Sequence, residues 1–123
     1  ARGRTVTPMM RLKSEMWAKA YVRRCAVAGL GAYIVRHGDD DAGAIYIKVN
    51  RLDGTCLLYG PAPAGLDSAA TDRRFMPCLG DAPQSEEAAD AFLRREAEFD
   101  PDVWVVEIED REGRHFLDGW LAD

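Results

Sequence analysis

Trp17, Ala18, Tyr21, Val22, Cys25 and Ala28 recur at the three- and four-residue intervals that gather apolar side chains on one side of a helix. Lys19 and Arg23 sit four residues apart on the other side. Ser14 offers a hydroxyl suited to an N-cap, Glu15 places an acid where the helix dipole favours one, and Gly29 can take the left-handed conformation that ends a helix. The spacing predicts a first helix from about Ser14 to Ala28. A strand-like run, Ala32 to Arg36, follows, and His37-Gly38-Asp39-Asp40-Asp41 turns the chain. Ile45, Ile47 and Val49 then alternate with Tyr46, Lys48 and Asn50, the period-two pattern of a half-buried strand. Asp53-Gly54 is a hairpin signal, and Cys56 to Tyr59 is the returning strand. Gly60-Pro61-Ala62-Pro63 stops it, because proline donates nothing to a ladder. After a loop running to about Asp72, Arg73 to Leu79 reads as a fourth short strand that Pro77 confines to an edge.

Ser85, Glu86 and Glu87 open a second helix, with Ala88, Ala89, Phe92, Leu93 and Phe99 on one side of it. Glu96 falls in the same sector, a position that calls for a partner or a frayed end. Asp100-Pro101 stops this helix, and Val103 to Glu109 is the best central strand, with Trp104, Val106 and Ile108 on one face. Asp110 to Gly113 turns into a last short strand near His115-Phe116-Leu117. Consecutive strands joined by hairpins imply antiparallel pairing. The expected fold is therefore α+β: a single two-layer domain, mainly antiparallel sheet, with two helices on one face. Residues 1–10 are expected to form a flexible N-terminal tail or a cloning remnant, and 11–123 the domain.

Length and composition agree with this picture. The chain has 123 residues, 47% apolar and 30% charged, which suits one globular domain rather than a disordered chain. No stretch approaches the roughly 20 apolar residues of a membrane-spanning helix. The three cysteines, Cys25, Cys56 and Cys78, form neither C-x-x-C zinc pairs nor an even disulfide framework. Reduced thiols and a cytoplasmic location are the expectation. The net charge of −5 is unevenly spread. Residues 1–36 hold eight basic side chains against Glu15 alone, and the remainder holds eight basic against 20 acidic ones. A pI near 5 opposes a phosphate backbone, so the split argues for acidic elements packed beside a basic helix more than for nucleic acid.

Candidate chemistry is sparse. Counting from Asp39, a calcium loop would want glycine at the sixth position and glutamate at the twelfth; Ala44 and Asn50 stand there. Pro101-Asp102 with Glu107 and Glu109 resembles the acidic core of metal-dependent nucleases, yet that pattern wants a lysine where Glu109 stands. Cys25 lies on the apolar helix face, which reads as a buried structural thiol rather than a nucleophile paired with His37 or His115. Gly29 and Gly31 lack the rest of a phosphate loop, and no cofactor signature is present. Two surface candidates survive. One is the proline-restricted Tyr59 to Pro63 loop. The other is Arg73-Arg74-Phe75, whose guanidiniums suit a carboxylate or phosphate.

Arg11 to Trp17, Ala44 to Gly54, Tyr59 to Pro63, Arg73-Arg74-Phe75 and Trp104 to Arg111 together resemble a small alphaproteobacterial domain-of-unknown-function family, numbered 1491. The likeness covers nearly all of the chain after Met10, in chain order. It implies a bacterial cytoplasmic protein of this size and brings no activity or catalytic residues. The leading expectation is a non-enzymatic protein-binding or adaptor module, with Tyr59, Arg73, Arg74, Lys19 and Arg23 as partner-binding residues and no metal or cofactor. One alternative is a metal-dependent hydrolase or nuclease-like enzyme using Glu107, Glu109 and an aspartate of the 39–41 turn. The other is a weak nucleic-acid binder through the Lys19–Arg23 stripe and the N-terminal arginines. Oligomeric state has no signal in the sequence.

Overall fold

A computed structural model of the chain describes residues 12–63 and 73–122. The expected tail at 1–10 and most of the loop before Asp72 lie outside the described residues, as do the arginines at positions 2, 4 and 11. Helix α1 spans Ser14–Val27 and buries Trp17, Ala18, Tyr21 and Cys25, the sector read from the sequence. Gly29 follows with φ at +90°, as a left-handed stop requires. Ser14 is not the N-cap. Lys13 holds that place without a side-chain capping bond, and the Ser14 hydroxyl instead donates to the carbonyl of Gly43 at 2.6 Å. The helix start is capped by backbone: the amides of Ser14 and Glu15 donate to the carbonyls of Asp41 and Asp40.

Six strands form one mixed sheet: β1 Gly31–Arg36, β2 Ile45–Asn50, β3 Thr55–Pro61, β4 Phe75–Pro77, β5 Gln84–Ser85 and β6 Trp104–Glu109. Their order is β1-β6-β2-β3-β4, with β5 also on β3. All pairs are antiparallel except β2 with β6, so the expected α+β domain with a mainly antiparallel sheet is borne out. The parallel pair arises because helix α2, Glu86–Phe99, intervenes before β6, and a strand entering after a crossover helix can run alongside β2. Ser85 caps α2, its hydroxyl accepting from the amide of Ala88 at 3.1 Å.

The helices do not share a face. Ile45, Ile47 and Val49 of β2 and Trp104, Val106 and Ile108 of β6 form one core with α1. The intervening positions Tyr46, Val103 and Val105 pack against Phe92, Leu93 and Ala97 of α2 on the opposite side. Side chains alternate along a strand, so two helices contacting alternate positions must lie on opposite faces. The sheet is therefore the middle of three layers, and β2 is buried on both sides. The C-terminal region differs from expectation as well. His115 to Leu117 is not a strand: Phe116 has φ at +57°, Leu117 is fully buried, and a short 3-10 turn spans Asp118–Trp120. Trp120 turns inward to meet Trp17 edge-on at 5.4 Å, and Trp17 also stacks on Tyr21 and leans on Phe75. Burying such rings is worth about 1.5–3 kcal/mol each, more than a two-residue ladder offers. Leu121 then forms a parallel bridge with Phe75.

Candidate functional site

The outer surface of α1 is where the sequence-predicted residues stay accessible. Lys19 and Arg23 are both exposed, one turn apart. Met16 and Val27, at 56% and 83% exposure, lie in the same stripe, because residues three, four and seven apart share a helix face. Lys13 and Arg24 flank it. Lys19 meets Glu15 at 3.0 Å, Lys13 meets Asp41 at 3.6 Å, and Arg24 hangs 6.0 Å from the Trp120 ring. Arg23 has no ion-pair partner among the described residues.

The other predicted residues stand elsewhere and are not gathered with this stripe. Arg73 is buried: it donates to the Leu12 carbonyl at 3.0 Å and to the Ser14 hydroxyl at 2.9 Å. With the Ser14–Gly43 bond, this ties the start of α1, the loop before β2 and the entry to β4 into one knot. Arg74, half-buried, donates to the Gly119 carbonyl and fixes the C-terminal turn. Tyr59 is a core residue, its ring edge-on to His115 at 4.9 Å.

A further cluster, on the α2 side, is assembled only by the fold. Lys48, its side chain 5% exposed, donates to Glu86 and Asp90 at 2.8 Å each and lies 3.4 Å from Glu107. Burial alone would lower the pKa of its ammonium group, but hydrogen bonds to Asp90 and Glu86 and the Glu107 charge outweigh that and hold it above the ordinary lysine value. Asn50 joins by donating to Glu107 at 3.1 Å, and Tyr46 donates to Glu96 at 2.8 Å. The odd placement of Glu96 is thus explained by a strand tyrosine. A lysine in the middle of an apolar strand, with acids at 86 and 90 one helical turn apart, was the available signal.

The arrangement limits the enzyme alternative. Glu107, in the second half of β6, is engaged by Lys48 and Asn50, and Glu109 at its end accepts from Tyr33. The 39–41 turn sits at the other end of β6, where the Asp39 amide donates to Asp102 and the Trp104 indole donates to the Asp39 carbonyl. Glu107 and Glu109 lie three and five residues along β6 from Trp104, the residue beside Asp39, and Glu107 is already committed to Lys48 and Asn50. The thiols are not activated either. Burial raises Cys25 and pushes Cys56 and Cys78 up to about 11, which keeps all three protonated at neutral pH.

Fold and site together define a small α+β domain: a mixed sheet between two helices, with a basic and apolar helix face turned outward. The chain belongs to the family described as protein of unknown function DUF1491, whose pattern matches residues 12–118. It is similar to a DUF1491 family protein from Caulobacter crescentus, at 38% identity over 91% of this chain and 98% of that one, TM-score 0.74. A solution structure of a Caulobacter crescentus DUF1491 protein gives 39% identity, 91% and 97% coverage and a TM-score of 0.74. Protein Atu0922 from A. tumefaciens is 43% identical over 81% of this chain and 86% of that one, TM-score 0.68. No curated protein matches the chain. No helix among the described residues is long and apolar enough to cross a membrane.

Proposed function

We propose that this protein is a non-enzymatic binding module of the bacterial cytoplasm whose α1 outer face receives an acidic, partly apolar segment of a protein partner. The observation that carries this reading is Arg23, without an ion-pair partner among the described residues, set between exposed Met16 and Val27, with Lys19 one turn away. Exposed apolar side chains contribute area on burial, and the flanking cations select a partner of opposite charge and speed its encounter. Apolar side chains interleave with these cations, where a single-stranded nucleic-acid site would present stacking aromatics. The acidic remainder of the chain repels a phosphate backbone further. Buried Arg73 and half-buried Arg74 serve this reading indirectly, by fixing the start of α1 and the C-terminal turn beside it.

Charge reversal on α1 tests it. Tagged wild-type protein and K19E/R23E are used to capture partners from host extract at low salt, with and without nuclease. The expected result is a protein that survives nuclease, is lost with K19E/R23E, and binds through an acidic segment that still binds as an isolated peptide. Equal capture by both forms overturns the assignment. Capture that disappears with nuclease replaces it with the nucleic-acid reading.

A further inference from the structure

The loop that caps α1 carries chemistry that the binding reading does not use. His37 follows β1, Asp40 lies three residues on, and Glu15 stands in the first turn of α1. Each offers one ligating atom, and the three atoms all lie within 4.8 Å of one another. His37 Nε2 is already 2.8 Å from Asp40 Oδ1. A metal with bonds of about 2.0–2.2 Å needs donor separations of roughly 3–3.5 Å. The remaining gap closes by rotation of the flexible Glu15 side chain away from Lys19, its present exposed partner.

We propose that Glu15, His37 and Asp40 bind one divalent transition-metal ion at the surface. The donors come from two separate elements, and backbone hydrogen bonds join those elements beneath them. The amide of Glu15 donates to the Asp40 carbonyl at 3.0 Å, so two of the ligands are coupled through one backbone bond. The third is oriented by packing: the His37 ring lies 4.1 Å from the Trp104 ring, whose indole in turn donates to Asp39 at 2.7 Å. A scaffold that holds ligands in place before the ion arrives reduces the ordering cost of binding.

The donor set selects the ion. Imidazole nitrogen favours zinc, cobalt or nickel over magnesium and calcium, which prefer all-oxygen shells. Two carboxylates balance the charge of a divalent ion. Three protein ligands leave at least one position for water, and the exposure of His37 and Asp40 keeps that position open to solvent.

The test uses the full chain labelled with 15N and kept reduced. Zinc is titrated by calorimetry and by amide shifts, and cobalt is followed by its visible spectrum. The expected result is saturable one-to-one binding, shifts confined to residues 13–16 and 37–42, and a cobalt spectrum without thiolate charge-transfer bands. E15Q and D40N keep side-chain shape and are each expected to weaken zinc by roughly tenfold or more, with H37Q at least as damaging and H115Q without effect. Near-UV circular dichroism confirms that each variant is folded. Absence of saturable zinc binding, affinity unchanged in folded E15Q and D40N, or shifts centred on Cys78 or His115 would each overturn the assignment.

Discussion

Replacing Lys48 with methionine isolates the ionic contact between α2 and the sheet from the apolar packing beside it. The wild-type ammonium makes two hydrogen bonds of 2.8 Å, to Glu86 and Asp90, and a third, longer contact to Glu107. A hydrogen bond to a charged group contributes about 1.5–3 kcal/mol when buried. Glu86 and Asp90 retain 42% and 43% exposure, so water screens their half of each interaction and the lower end of that range applies. Methionine preserves most of the buried stem, but it leaves three carboxylates facing one another with no cation between them. The net expectation is a loss of about 2–3 kcal/mol, or roughly 8–12 °C in Tm for a domain of this size. Urea unfolding followed by tryptophan fluorescence measures it, with an unchanged m-value as the control for two-state behaviour. The sign of the pH dependence is fixed as well. Because the folded-state pKa of Lys48 is raised, its contribution is fully present below the unfolded lysine value near 10.4. It is lost as pH rises through the folded value, so wild type and K48M converge only in strong alkali. A K48M protein within about 0.5 kcal/mol of wild type at neutral pH would refute this account of the cluster.

Ser14→Ala removes both a donor to Gly43 and an acceptor for Arg73 from a fully buried position, and a loss of about 1–3 kcal/mol is expected in chemical denaturation. S14A matching wild type would show that the knot at the start of α1 carries no net stability. Cys56, with its thiol at about 11, is ionised to roughly one part in a thousand at pH 8, so its labelling by a disulfide reagent should be limited by opening of the fold. Rapid modification of Cys25 or Cys56 in native protein would contradict their burial.

The elements were legible because local signals agreed. The apolar period of α1 ends where Gly29 permits it, Asp53-Gly54 turns β2 into β3, and Ser85 with Glu86 and Glu87 starts α2. The face on which α2 sits was not legible. Tyr46, Lys48 and Asn50 look like the wet side of a half-buried strand, and periodicity alone cannot distinguish water from a helix that brings its own carboxylates. Ser14 misled for a related reason: a serine before an apolar run suits an N-cap, but a distant backbone took the capping role and left the hydroxyl to bind Gly43 and Arg73. Arg73 and Tyr59 look like surface residues in the sequence because nothing local marks a side chain whose partners lie some 60 positions away. Lys19 and Arg23 stay exposed because their own helix decides their direction.

The bridge between Leu121 and Phe75 has a consequence for how copies of this molecule can meet. At one margin of the sheet, β4 is three residues long, ends in Pro77, and has its Phe75 carbonyl occupied by the Ala122 amide. At the other margin, β1 runs six residues with a neighbour on one side only among the described residues, and Tyr33 and Val35 stand half-exposed along it. A sheet with two free margins can add strands without end; one with a single free margin uses it up at the first addition. With Leu121 and Ala122 covering Phe75, β1 is the longer open margin among the described residues, and two copies paired edge to edge through β1 form a closed pair rather than the start of a fibre.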